Sequence, residues 1–283
     1  MKSMLGWPLR GAALGLLAAS ALGCSVKVDA KSETYFTGSP KTMSGTYTAG
    51  KGIQVESSNG NVKLIPGSSA TAISATFQPF STRPDNEAQQ AKDDMNNDLV
   101  LVLDDTTDPI LIQVARVSTA IDALGADVEV TLPDGFNGDF DMHAKNAQVD
   151  ADLTGGFPTA TTLKCDNGAV DLVGAGGQLA IDIANGTSSV AVSSWSPVDG
   201  HVTLGNGDLT FTVAAGLSGN ITAVAGSDQQ ANVVGPSPLP ADWTESTAAH
   251  NSKSYAFGAD AANMGTVALT NEFAFGNVFI DVN

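Results

Sequence analysis

An asparagine recurs at nearly constant spacing through the second half of this chain. The four residues are Asn146, Asn167, Asn185 and Asn206, so the intervals between them are 21, 18 and 21 residues. Glycine follows three of the four, and glycine permits the positive φ that a sharp corner needs. A repeat of about 20 residues is typical of solenoids, in which each turn of the chain is one structural unit.

Apolar and polar residues alternate on both sides of each asparagine, which predicts two short strands per repeat. In the fourth repeat Val202 and Leu204 precede the asparagine, and Leu209, Phe211 and Val213 follow it. One unit cannot bury its apolar face alone, but stacked units pair their backbones and share a core. The pattern predicts an all-β fold, a single-chain β-solenoid (β-helix) with coils of about 20 residues. Asn-Gly between alternating runs is also a hairpin signal, so a hairpin-built sandwich is the alternative.

The repeated asparagines also predict a contact between coils. Equivalent positions in adjacent coils lie about 4.8 Å apart, and stacked asparagine amides satisfy one another's hydrogen bonds. We therefore expect Asn146, Asn167, Asn185 and Asn206 to form a structural ladder along one corner. A weaker fifth repeat is centred on residues 225–226, and two alternating runs, 264–270 and 277–283, are expected to close the last coil.

The region before these repeats is less regular. Residues 52–67, GIQVESSNGNVKLIPG, repeat the strand–Asn-Gly–strand pattern once. Residues 85–97 lack β-branched side chains and predict one short helix or helical loop. The segment 235–254 contains three prolines and predicts a loop or lid. These boundaries place the β-solenoid domain at residues 43–283.

The N-terminus has the pattern of an export signal. Lys2 and Arg10 precede an apolar stretch, residues 11–23, that is shorter than the roughly 20 residues needed to span a bilayer. This predicts a signal peptide over residues 1–23. The sequence Ala-Leu-Gly-Cys at 21–24 resembles the lipobox of bacterial lipoproteins, so we expect lipidation of Cys24 and a polar tether over residues 24–42. Ordinary cleavage that leaves Cys24 as a free thiol is the alternative.

Charge limits the partners that such a protein can bind. The chain has 13 basic and 30 acidic residues, a formal net charge of −17. An acidic surface repels nucleic acid and anionic headgroups, so we expect no nucleic-acid partner and membrane attachment through lipid alone. Ser25 after the cysteine is compatible with outer-membrane sorting. The prediction is an exported, lipid-anchored protein, located in the outer membrane if the source is Gram-negative.

No catalytic or metal-binding motif stands out. His143, His201 and His250 fall in no HExxH pattern, and the two cysteines form no CxxC pair. Cys165 shares the inward phase of its strand, which predicts a buried, inert thiol. The acidic stretches 104–109 and 134–141 do not match a calcium loop, so we expect them to be solvated. The sequence therefore predicts no catalytic residue, no metal and no cofactor.

Three stretches together resemble the bacterial putative-adhesin family, a domain of unknown function with a β-solenoid fold. They are residues 52–67, residues 128–156 and the Asn-Gly coils up to about residue 225, and the similarity covers roughly residues 45–283. Ala147 in place of glycine and the proline-rich segment depart from the family pattern. The resemblance implies a β-solenoid and an adhesion-type role, with no catalytic motif to carry over.

Three functions are consistent with these features. The first is a lipid-anchored cell-envelope protein whose non-catalytic solenoid serves adhesion, scaffolding or ligand display toward an envelope protein or a polysaccharide. The second is a polysaccharide-processing β-helix enzyme, although only Arg83 and Arg116 remain as arginines after the signal. The third is an envelope sensor lipoprotein with a protein partner, which an exposed apolar patch around Trp195 or Trp243 would favour.

Overall fold

The computed structural model describes residues 33–117, 123–193, 200–258 and 265–283 of the protein. A short 3-10 turn, Asp85–Glu87, leads into the single described helix, α1 (Ala88–Asn97), as predicted for this segment. The strands of the first half are β1 Glu33–Thr37, β2 Lys41–Thr46, β3 Ile53–Ser57, β4 Val62–Pro66, β5 Ala72–Pro84, β6 Leu99–Asp104, β7 Ile110–Arg116, β8 Leu124–Leu132, β9 Asp139–Asn146, β10 Val149–Asp152 and β11 Ala160–Asn167. Those of the second half are β12 Val170–Ala175, β13 Gln178–Ile183, β14 Ser188–Val192, β15 Gly200–Leu204, β16 Leu209–Val213, β17 Gly219–Val224, β18 Val233–Val234, β19 Trp243–Ala249, β20 Ser252–Phe257, β21 Gly265–Asn271 and β22 Val278–Val282.

These strands form two sheets of 11 strands each. Sheet A has the order β1-β5-β8-β4-β10-β12-β14-β16-β22-β18, with β2 also paired to β5. Sheet B has the order β19-β20-β17-β21-β15-β13-β11-β9-β3-β7-β6. Consecutive strands such as β11 and β12 lie in different sheets, and each pairs in parallel with the equivalent strand of the next coil. The fold is therefore an all-β solenoid as predicted, and the hairpin alternative is wrong.

The core lies between the two sheets and is built from the alternating apolar residues. Val202 stacks in register on Ile181, and Leu204 stacks on Ile183, which is the predicted pairing. All four side chains are buried. Because every coil repeats the same alternation, parallel pairing brings like positions together and forms continuous apolar columns.

The coil order at the C-terminal end differs from the expected one. Strands β21 and β22 do not close the stack; β21 lies between β15 and β17, and β22 lies between β16 and β18. The repeat centred on 225–226 is therefore the outermost coil. Alternation identifies which residues face inward, but it does not specify which coil is the neighbour, and this is why the expectation was wrong.

The N-terminal end is also threaded out of chain order. The coil β3/β4 lies between β7/β8 and β9/β10, and β5 closes sheet A by pairing antiparallel with β8. The predicted tether, residues 24–42, requires correction because β1 and the start of β2 fall within it. Both strands pair with β5, and Tyr35 stacks on Phe80 with ring centroids 5.1 Å apart. Because this segment is polar, its composition does not predict that it forms the edge of a sheet.

A buried ion pair fixes α1 to this end. The carboxylate of Asp94 is fully buried and accepts hydrogen bonds from Arg83 Nε at 2.8 Å, Gln90 Nε2 at 2.9 Å and Ser81 Oγ at 3.3 Å. Burial opposes ionisation, but these three bonds outweigh it and hold the pKa of Asp94 below its ordinary value.

The proline-rich segment is only partly a loop. Its three prolines all precede Trp243, and the residues that follow form the antiparallel hairpin β19–β20 on sheet B. Trp243 is buried and stacks on Phe257, with ring centroids 4.3 Å apart, so it does not supply the exposed patch considered above. No described helix is both long and apolar enough to cross a bilayer.

Candidate functional site

The predicted lipidation site lies outside the part of the chain that the structure describes. Cys24 and the signal peptide precede the first described residue, Glu33, and Trp195 falls in the gap between residues 193 and 200. Lipidation of Cys24 therefore stays a prediction from the sequence.

The four repeated asparagines meet along one exposed corner of the solenoid. Asn167 donates from Nδ2 to Asn146 Oδ1 at 3.1 Å, Asn185 donates to Asn167 at 3.0 Å, and Asn206 donates to Asn185 at 2.7 Å. The amides of Asn167, Asn185 and Asn206 thus each link their own coil to the preceding one. These contacts tie the coils together and place a row of evenly spaced polar groups at the surface.

The glycine that follows Asn167, Asn185 and Asn206 lets adjacent corners touch. Gly168 has a φ of 143°, and its N–H donates to Asn185 O at 2.9 Å. A Cβ at this position would lie 1.7 Å from the carbonyl oxygen of Ala147. Glycine is therefore required by close approach of two backbones as well as by the positive φ.

The outer face of sheet B carries a row of polar and charged side chains in register. Glu56 pairs with His143, His143 with Lys164, and Lys164 with Asp182. His201 Nε2 lies 3.4 Å from an Asp182 carboxylate oxygen. Opposite charges on neighbouring strands stabilise a sheet modestly, which accounts for Lys164 beside Asp182, whereas His143 beside Lys164 is not such a pair.

The other sequence candidates for chemistry have structural roles. Cys165 is buried, and burial raises the pKa of its thiol, which keeps it in the unreactive protonated form. In the acidic stretch 104–109, Asp105 accepts the N–H of Thr46 and Asp108 accepts the N–H of Gly52. Within the described ranges no group of three or more histidine, cysteine or acidic side chains is placed to hold a metal ion.

A depression of about 590 Å³ lies where the last strand of sheet A, β18, meets the hairpin β19–β20. We call it the end cleft. Apolar Val234 and Phe279, the ion pair Glu245–Lys253, and His250 line it. The end cleft is an open surface depression that brings together residues of β18, β22 and the hairpin β19–β20 and combines apolar with polar side chains.

The end cleft has no local signature in the sequence. His250 lies in no motif, and Phe279 lies in an alternating run that is expected to close the last coil. The cleft depends on the pairing of Val234 with Phe279, a contact between distant segments, beside the hairpin pairing of Glu245 with Tyr255. The proline-rich segment was the one local signal that pointed to this region.

Comparison with known proteins supports the fold. A crystal structure of a putative cell adhesion protein from Clostridium sporogenes ATCC 15579 covers 87% of this chain and 100% of its own, with a TM-score of 0.50 and 10% identity. A putative adhesin from Bacteroides fragilis NCTC 9343 covers 86% and 97%, at 8% identity, but its TM-score of 0.20 is too low to support a fold assignment. No protein-family model and no curated protein matches the sequence. The resemblance to adhesin structures is thus confirmed for the fold alone.

Proposed function

We propose that the protein is an exported, lipid-anchored protein of the cell envelope that presents its β-solenoid for adhesion, scaffolding or ligand display. Cys24 carries the lipid, and the solenoid projects from the membrane as a rigid, acidic body. In a Gram-negative source the anchor lies in the outer membrane. The partner is a polysaccharide or another envelope protein.

One observation supports this proposal: polar side chains on the surface form hydrogen bonds that hold the coils of the solenoid together. The asparagine ladder links four coils, and Asp105 and Asp108 accept backbone N–H groups. Polar groups fixed in register form a rigid surface suited to recognition, whereas hydrolysis needs an acid and a base that reach the substrate. The fold likeness to a protein described as a cell adhesion protein agrees with this role.

Anchoring is tested by replacing Cys24 with serine and separating soluble from membrane fractions. We expect Cys24→Ser to leave the membrane fraction or to accumulate as precursor, and cells that make it to lose adherence to immobilised envelope polysaccharide. Cys165→Ala is the matched control, because that thiol is buried and lies in the solenoid core. Tight membrane association of Cys24→Ser would refute lipid anchoring.

The enzymatic alternative has its own test. The full-length protein is incubated with polygalacturonate, an anionic polysaccharide, and new reducing ends are measured over time. We expect no increase above a heat-treated sample. Release of reducing ends that scales with protein concentration would contradict a display function.

A further inference from the structure

Asparagine followed by glycine has a chemistry of its own. The asparagines of such pairs in this chain are Asn59, Asn137, Asn167, Asn185 and Asn206. Because glycine has no Cβ, its backbone nitrogen can approach the side-chain amide of the asparagine and form a five-membered succinimide ring. This attack requires that the glycine N–H lose its proton to solvent and that the asparagine side chain be able to turn toward the nitrogen. Hydrogen bonds to either group therefore protect the pair.

Three of the glycine N–H groups are bonded to the adjacent coil. Gly60 donates at 3.2 Å, Gly168 at 2.9 Å and Gly186 at 2.9 Å, in each case to the backbone carbonyl oxygen of the asparagine at the equivalent corner. A bonded N–H gives up its proton less readily than one that faces water. The stacking of the coils therefore protects these three pairs.

The pair at Asn137 is protected in another way. Its Oδ1 accepts hydrogen bonds from the Tyr47 hydroxyl at 3.1 Å and from the Gly50 N–H at 2.9 Å. Gly138 is buried, and an added Cβ there would lie 1.9 Å from the carbonyl oxygen of Lys51. The side chain is thus fixed, and the glycine is packed away from solvent.

Gly207 has neither form of protection. Its N–H donates to no group within the described residues, and only its carbonyl oxygen is bound, by Asn271 Nδ2 at 2.8 Å. The neighbouring coil, β21/β22, has no Asn-Gly pair at this corner; its corner folds on itself through a bond from Gly276 N to Phe273 O at 2.9 Å. The out-of-order coil therefore leaves the Gly207 N–H without the partner that the other corners provide.

Asn206 also ends the asparagine ladder. Its Nδ2 donates to Asn185 at 2.7 Å, but its Oδ1 accepts no hydrogen bond in the part of the chain that the structure describes. Asn185, by contrast, is held at both ends of its amide, because its Nδ2 also donates to Asn167 Oδ1 at 3.0 Å. All three asparagines are exposed, so contact with water does not distinguish them.

We propose that Asn206 is a site of spontaneous modification, at which the side-chain amide is lost while the other Asn-Gly pairs stay intact. Solvent base removes the Gly207 N–H proton, the nitrogen bonds to Cγ of Asn206, and the Cγ–Nδ2 bond breaks. The amide leaves as ammonia with a proton returned by solvent. Water then opens the ring at Cγ, which gives aspartate, or at the backbone carbonyl carbon, which gives isoaspartate. No oxidant, reductant or enzyme takes part.

The modification changes the end of the ladder. A carboxylate at position 206 has no N–H to donate to Asn185 Oδ1, so the last link of the ladder is lost. It also adds a negative charge two residues before Asp208 in a chain whose formal net charge is already −17. Because the reaction needs no enzyme, the modified fraction increases with the age of the folded protein.

The test incubates the full-length protein in detergent at mildly alkaline pH, digests samples with pepsin in acid, and measures by mass spectrometry the exchange of an amide NH2 for OH. We expect Asn206 to convert about tenfold faster than the asparagine of any other Asn-Gly pair, a factor that one hydrogen bond can supply. In urea, where no N–H is held, the five pairs should convert at similar rates.

The variant Asn206→Ala separates the glycine N–H from the side-chain ladder. It removes the amide that donates to Asn185 Oδ1 but keeps the backbone carbonyl that holds the Gly186 N–H. We expect Asn185 to keep its slow wild-type rate in this variant.

The proposal would be overturned by equal rates at all pairs of the folded protein, or by faster conversion at another pair than at Asn206. It would also be overturned by an intact Asn206 under conditions that convert the unfolded chain, or by fast conversion of Asn185 in Asn206→Ala. None of these results bears on whether Cys24→Ser leaves the membrane, so this inference and the proposed function fail independently.

Discussion

The middle of the solenoid and its two ends are built in different ways. From β9 to β16 each coil stacks on the coil that precedes it in the chain, with 18 or 21 residues between equivalent asparagines. At both ends a coil is inserted out of order: β3/β4 enters between β7/β8 and β9/β10, and β21/β22 enters between β15/β16 and β17/β18. The middle is thus a local repeat, and the ends depend on distant segments.

The difference reflects the needs of a sheet edge. A middle coil has a parallel neighbour on each side, whereas an end coil would expose unpaired N–H and C=O groups. Antiparallel strands β5 and β6 close one end, and β20 and β19 close the other on sheet B. The outermost strand, β19, carries Glu245 and a register shift between Thr247 and Ala249, and both features discourage pairing with another chain. The regular repeat therefore stops at the two ends, where antiparallel strands cover the edges of the sheets.

The largest effect is expected in the middle of the stack. Leu204→Asp places an unpaired charge between Ile183 and the next coil, and we expect it to lower the free energy of unfolding by about 3–5 kcal/mol. Thr203→Lys, which adds a charge on the outer face beside Asp182, should change it by less than about 0.5 kcal/mol. Urea unfolding measures both. Equal shifts in the two midpoints would show that the assigned inward phase is wrong.

At the N-terminal end, breaking a single ion pair is expected to lower the free energy of unfolding by a nearly equal amount. Arg83→Ala leaves the buried Asp94 carboxylate with Gln90 and Ser81 alone, and we expect a loss of about 3 kcal/mol. Lys63→Ala removes the exposed pair with Glu129, 3.1 Å apart and about half exposed on each side, and should cost less than about 1 kcal/mol.

The pH dependence sharpens this second prediction. Since the pKa of Asp94 is lowered by folding, its contribution is present above the ordinary carboxyl pKa of 3.8 and is lost as the pH falls below it. The difference between wild type and Arg83→Ala should therefore shrink in acid. A difference that stays constant down to pH 2 would contradict the role given to this pair.

A smaller effect, an increase in stability, is expected from replacing one buried polar residue in the middle of the stack. Ser188 is buried in register between Val170 and Leu209, and its hydroxyl has no hydrogen-bond partner within the described residues. Ser188→Val replaces this hydroxyl with methyl groups that match the column, so thermal unfolding should report a gain of about 1 kcal/mol. Ser189→Val, on the outer face, should be near neutral. A destabilised Ser188→Val would mean that the site cannot accept the added volume.

The smallest effect concerns the asparagine ladder. A double-mutant cycle on Asn167→Ala and Asn185→Ala should show an interaction energy of about 0.5 kcal/mol, because the two amides bond at 3.0 Å. The pair Asn146 and Asn206 is the control, since two coils separate them and their effects should be additive. If the effects were additive in both pairs, the asparagine ladder would not contribute an interaction energy between coils.

Sequence sufficed for the middle because the information there is local. Asparagine spacing predicted the corners, and alternation placed Val202 and Leu204 inside. The ends could not be predicted in the same way, because one short alternating strand is chemically equivalent to another and the pattern does not choose its neighbour. For the same reason the sequence did not predict β1, which lies in a polar segment. It did not predict the end cleft either, because that depression forms only when distant strands pair. The ion pair of Arg83 and Asp94 likewise joins a strand to a helix by tertiary packing alone.

The coil order at the C-terminal end is the most direct test of this account. His201 and Ala268 are register neighbours on β15 and β21, so their backbones lie one strand spacing apart, about 4.8 Å. Thr222 on β17 pairs with Ala268 and lies two spacings from His201, about 9.6 Å, which is too far for a disulfide. Cysteines at 201 and 268, in a Cys165→Ala chain, should form an intramolecular disulfide that mass spectrometry detects, and cysteines at 201 and 222 should not. A disulfide between 201 and 222, with none between 201 and 268, would show that the coils follow chain order to the end and would contradict the threaded closure.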